Sequence, residues 1–97
     1  MYTIIERRKA NQSRVPEALA LAQTEFFPPL QRADGFVGFY LVPDGDLFTA
    51  ILVWEDKAKA DAFDATYRAW TKKLDEFGHK VESENQGDTV VALEPQR

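Results

Sequence analysis

The chain contains no cysteine, a single histidine, one methionine, and only five glycines and five prolines in 97 residues. Without cysteine there is no disulfide framework, no thiolate metal site and no catalytic thiol. One histidine leaves only scattered carboxylates as further ligands, so a dedicated transition-metal site is not expected. Long apolar runs are missing too: nothing approaches the roughly 18 consecutive residues of a membrane span. Met1 leads straight into Tyr2-Thr3-Ile4-Ile5, without the basic start and apolar stretch of a secretory signal. These absences point to a cytoplasmic protein with no membrane partner. The net charge of −4, with no concentration of basic side chains, speaks against nucleic acid.

At this length one domain spanning 1–97 is expected, burying roughly 60 to 70% of its unfolded surface, so stability is marginal and a partner subunit would add to it. What the chain does have is concentrated in residues 33 to 56, where two apolar runs flank Asp44-Gly45. Asp-Gly between such runs is a strong hairpin signal, because a tight turn needs positive φ and glycine supplies it without steric cost. Strict alternation places Phe36, Gly38, Tyr40 and Val42 on one face of the first strand, with Val37, Phe39 and Leu41 on the other. In the second strand Phe48, Ala50, Leu52 and Trp54 oppose Leu47, Thr49, Ile51 and Val53. Neither face is polar, so the hairpin needs cover on both sides, and one layer of helices supplies only one.

Around the hairpin, Tyr2 to Lys9 reads as a first strand running from a buried start to a charged rim. Ser13 is a plausible N-cap for a helix carrying Val15, Ala18, Leu19, Ala22 and Phe26, which Pro28-Pro29 is expected to end. Asp56 suits the N-cap of a long helix from Lys57 to about Phe77. Along it Phe63, Tyr67, Trp70, Leu74 and Phe77 form an aromatic stripe, and Gly78 stands at the helix end. The stretch from His79 to Asp88 is polar and reads as a connection, with the last strand at Val90 to Leu93. The order β-α-β-β-α-β is that of an α+β, ferredoxin-like sandwich: a four-stranded antiparallel sheet with two helices on one face. Its open face calls for a homodimer through sheet faces, with the tail reaching across to the partner.

Ala33-Asp34-Gly35-Phe36, Gly38-Phe39-Tyr40 and Val53-Trp54-Glu55-Asp56, set between an early helix and a long aromatic one, resemble the antibiotic biosynthesis monooxygenase (ABM) superfamily of dimeric α+β barrels. The resemblance covers nearly the whole chain. It implies a dimeric barrel with an apolar pocket in each subunit, between sheet and helices. The haem-degrading subgroup uses an Asn on its first strand and a Trp and a haem-ligating His in its second helix. Glu6, Phe63 and Lys73 occupy those places here, which counts against haem. The cofactor-independent members that act on aromatic or quinol-like molecules remain as the functional reading, against a non-catalytic small-molecule-binding or accessory dimer.

Three side chains are candidates for chemistry. His79 is the one side chain that ordinarily titrates near neutrality, although a solvated helix cap is the blander reading. Glu6 is a base if partly desolvated, or else a rim ion pair with its neighbours Arg7 and Arg8. Tyr67 offers a hydroxyl. Phe26, Phe39, Tyr40, Trp54, Phe63 and Trp70 are candidate ligand-lining residues, each equally at home in the core or an interface. Gly35-Phe36-Val37-Gly38-Phe39-Tyr40 superficially resembles an RNA-binding aromatic strand, but its spacing, its position and the acidic chain argue against it.

Overall fold

The computed structural model describes residues 1–96. They form β1 (Tyr2–Lys9), a 3-10 turn (Gln12–Arg14), α1 (Val15–Glu25), α2 (Phe27–Arg32), β2 (Phe36–Asp44), β3 (Leu47–Trp54), α3 (Lys57–Glu76) and β4 (Lys80–Asp88). The strands make one antiparallel sheet in the order β2-β3-β1-β4, the ferredoxin-like arrangement implied by the element order. The helices lie on one face. Their apolar sides meet the inward residues of the sheet in a core centred on Phe26, Leu30, Leu52 and Trp54, none more than 2% exposed.

Local chemistry explains most boundaries. Asp56 caps α3 by accepting a hydrogen bond from the Lys59 amide at 2.9 Å, and Gly78, at φ 84°, ends the helix where a side chain would be strained. In the hairpin the two turn residues are Gly45 and Asp46, and Gly45 takes φ 62° in the first position. The connection is therefore of the II′ kind, which matches the twist of the flanking strands.

Four expectations are corrected. Ser13 does not cap α1: it lies in the 3-10 turn and donates to Asn11 Oδ1, and Arg14 takes the capping position. Pro28 and Pro29 do not simply end a helix but open α2, where first-turn amides have no intrahelical partner to lose. The last strand is the polar Lys80–Asp88, not Val90 to Leu93. An edge strand is held by its backbone pairing with β1 and gains from charge, which discourages further pairing, so hydrophobicity was the wrong guide there. After the Thr89 amide bonds Met1 O, Val90 and Leu93 stand at least 90% exposed.

The fourth correction concerns register. A bulge between Phe36 and Gly38 inserts Val37 as an unpaired residue, so that Phe36 and Phe39 both face the helices although strict alternation separates them. Phe36 packs edge-on against Trp54 and Phe39 against Phe26, with ring centroids 5.8 Å apart in each pair. The far side of the sheet is left with Ile5, Tyr40, Val42, Ile51 and Val53 at its centre, and the Tyr40 ring lies across the bare backbone of Gly38.

Candidate functional site

Between the sheet and helices α1 and α3 lies a cavity of about 80 Å³. Phe26 sits at its wall, stacked on Trp70 with ring planes 8° apart and centroids 5.3 Å apart. Phe39 closes a second side. Small side chains make the room: Ala18 and Ala22 on α1 and Ala50 on β3 leave space where larger residues would fill it. Leu19 and Leu41, the two lining side chains that are more than a third exposed, mark the mouth. A dry cavity of about 150 Å³ is known to admit benzene, so at about 80 Å³ this one is smaller than a whole aromatic ring requires.

One end of the cavity is polar, and strand alternation puts it there. Glu6 and Arg8 are two apart on β1 and both point inward, 3% and 7% exposed. Arg8 Nε donates to Glu6 Oε1 at 2.5 Å, while Arg8 Nη1 donates to Asp75 Oδ1 and to the His79 carbonyl, each at 2.7 Å. The rim ion pair considered from the sequence is thus a buried one, and Arg7 alone of the three turns out to solvent. His79 is buried rather than a solvated cap. Its Nδ1 accepts the Asn11 amide at 2.9 Å, which places the proton of the neutral ring on Nε2. Burial first, then the nearby Arg8 and Arg14 cations, hold its pKa below the ordinary value and keep it neutral. Its Nε2–H is therefore a hydrogen-bond donor.

Tyr67 reaches the same end from α3. Its hydroxyl is enclosed and makes no hydrogen bond among the described residues, and burial, followed by the Glu6 carboxylate it faces, raises its pKa far above the usual phenol range. Among the described residues, Glu6 Oε2, Arg8 Nη2 and His79 Nε2 also make no hydrogen bond. The fully enclosed side-chain polar atoms without a partner among the described residues are Trp54 Nε1 and Tyr67 Oη.

The candidates read from the sequence separate cleanly. Glu6, Tyr67, His79, Phe26, Phe39 and Trp70 line this one cavity. Trp54 and Phe63 pack on each other, 5.2 Å between centroids, in the solid core beyond it, and Tyr40 lies on the opposite sheet face, 58% exposed. Arg8 was missed as a site residue because it was read together with Arg7 as part of a charged rim. The signal that finds it is the period of two, which gives it the same face as Glu6, Ile4 and Tyr2.

No family model and no curated protein matches the sequence. Solved structures do match the fold. A structure described as an antibiotic biosynthesis monooxygenase is similar with a TM-score of 0.71 and 17% identity, over 94% of this chain and 100% of that one. A Deinococcus radiodurans protein provisionally given the same description has 0.73 and 12%, over 100% of both chains. A protein of Mycobacterium tuberculosis has 0.74 and 12%, over 96% and 98%. The chain thus shares the fold of antibiotic biosynthesis monooxygenase structures, in line with the hairpin motifs. Among the described residues no helix is long and apolar enough to cross a membrane.

Proposed function

We propose that the protein is a cofactor-independent monooxygenase of ABM type, acting on an aromatic or quinol-like small molecule. The observation that carries this reading is the meeting of Glu6, Tyr67 and His79 at one end of an otherwise apolar, aromatic-walled cavity. Glu6 accepts the proton of a ring hydroxyl, and the His79 Nε2–H donates to the oxygen that gains charge. The electron-rich ring carbon then passes an electron to O₂ and forms a C–O bond, giving a hydroperoxide. Loss of water leaves a ring carbonyl: one oxygen atom stays on carbon, the other departs in water, and the substrate supplies all four electrons. A panel of small quinols and phenols followed by oxygen electrode tests this. Protein-dependent uptake that falls in Glu6→Gln and His79→Ala is expected; none, or uptake unchanged in those variants, overturns it.

A non-catalytic binding role is the second reading, favoured by the Glu6 carboxylate being already engaged by Arg8. Copurified ligand recovered by mass spectrometry without any turnover would select it.

The working unit is a cytoplasmic homodimer joined through the open sheet faces, with the tail, apolar from Val90 to Leu93, reaching across to the partner. Ile5, Tyr40, Val42, Ile51 and Val53 are the supporting residues, since exposed apolar patches of this kind are uncommon on monomers. Sedimentation equilibrium at low micromolar concentration should give twice the chain mass, and Ile51→Lys should give the chain mass; a wild-type monomer there rules the dimer out.

A further inference from the structure

The polar end of the cavity contains one charged group that the reaction above does not use, the Arg8 guanidinium. Nε and Nη2 share one edge of the guanidinium plane. In Arg8 the Nε of that edge holds Glu6 Oε1, whereas Nη2 has no partner, and neither does the second oxygen of Glu6. A side-on Arg–carboxylate pair frequently closes both bonds. Here only the Nε bond is closed, which leaves a donor of Arg8 and an acceptor of Glu6, two residues that both line the cavity, without an ion-pair partner in each other.

We propose that Arg8 is a catalytic residue of this site, and that its Nη2 together with Glu6 Oε2 recognises a ring hydroxyl, which donates to Glu6 and accepts from Arg8. The inference rests on the cavity being a ligand site, as read above, and narrows its ligand to a neutral hydroxyarene. Proton transfer is then an exchange of partners. The O–H bond breaks, the proton joins Glu6 Oε2, and the new phenolate takes the carboxylate's place against the guanidinium edge. The net charge of the site is the same before and after.

Two features of the surroundings agree with this. Tyr67 is a phenol already in the pocket, and burial first, then the Glu6 carboxylate, oppose its ionisation, so a phenolate at this end is favoured when Glu6 takes up the proton. Arg8 is already paired with both Glu6 and Asp75, so a carboxylate in place of the hydroxyl finds no uncompensated cation there and faces the Glu6 charge.

The experiment is a binding series on the wild-type protein by NMR titration with p-cresol, 4-methylanisole, toluene and 4-methylbenzoate. These share one ring and differ in whether they donate and accept, accept only, do neither, or carry charge. The p-cresol complex should be about tenfold or more tighter than each of the others, and the Arg8 guanidinium N–H resonances should move with p-cresol and not with toluene. Arg8→Lys, which keeps the charge but not the edge, should lose the p-cresol preference while binding toluene as before. Equal affinities for p-cresol and 4-methylanisole overturn the proposal, as do unmoved Arg8 resonances or a preference intact in Arg8→Lys. If Arg8→Lys does not fold, the wild-type series and resonances decide alone. Hydroxyl-dependent binding without oxygen uptake removes the oxygenase reading and leaves this one; uptake without hydroxyl-dependent binding does the reverse.

Discussion

The inward face of β1 is two regions in four side chains. Tyr2 and Ile4 join Leu52, Trp54 and Phe63 in a solid apolar core, whereas Glu6 and Arg8, one and two steps further along the same face, are as deeply buried but polar and border the cavity. All four are less than 9% exposed, so burial alone does not tell packing from function. The difference lies in what surrounds them. Large rings fill the first region, while three alanines hold the second open, and a protein built only for stability gains nothing by burying an ion pair beside a void.

Mutations at the two ends should therefore fail differently. Trp54→Ala removes the largest fully buried side chain from the solid region and should cost about 3–5 kcal/mol of unfolding free energy by urea denaturation, with ligand affinity per folded molecule unchanged. A loss below about 1 kcal/mol would show that the core collapses freely. At the other end, Arg8→Met leaves Glu6 buried without its cation and should cost about 3 kcal/mol, whereas the double replacement Glu6→Leu with Arg8→Met should restore most of that loss and abolish the preference for p-cresol over toluene. Failure of the double variant to recover would mean that the Arg8 bonds to Asp75 and the His79 carbonyl carry the stability instead.

His79 gives the polar end a pH dependence that the apolar end lacks. Its folded pKa lies below the ordinary 6.5, so the unfolded chain binds the proton more readily; its contribution is complete above 6.5 and is lost as pH falls from there towards the folded value. The urea midpoint should decline over that range in wild type and less so in His79→Gln. Parallel profiles would show that the ring protonates without resistance from its burial or from Arg8 and Arg14. Tyr67→Phe is the mildest change: it removes an enclosed hydroxyl without a partner and should alter stability by no more than about 1 kcal/mol, towards stabilisation, in the same denaturation experiment. A clear loss would mean that the hydroxyl is paired with Glu6 in solution.

Elements with strong local chemistry were legible in the sequence. The hairpin around Gly45, the Asp56 cap and the aromatic stripe of α3 follow from turn geometry, capping and a period of 3.6, and the element order then admits few topologies. The reading went wrong where the decisive interaction was distant. The bulge at Val37 depends on how β2 must meet β3, and the polar Lys80–Asp88 becomes a strand because the free edge of β1 pairs with its backbone.

The site divides in the same way. That Glu6 and Arg8 share a face of one strand was determined by their spacing alone, and so was the placing of Tyr67 and Trp70 on one side of a helix. Only the tertiary structure decided that these faces meet, that α3 ends with His79 folded back under Arg8, and that Trp54, Phe63 and Tyr40 stand outside the cavity. Alternation along a strand and around a helix is a property of the backbone nearby, whereas a void and an unfinished ion pair exist only where three elements fail to fill the space between them.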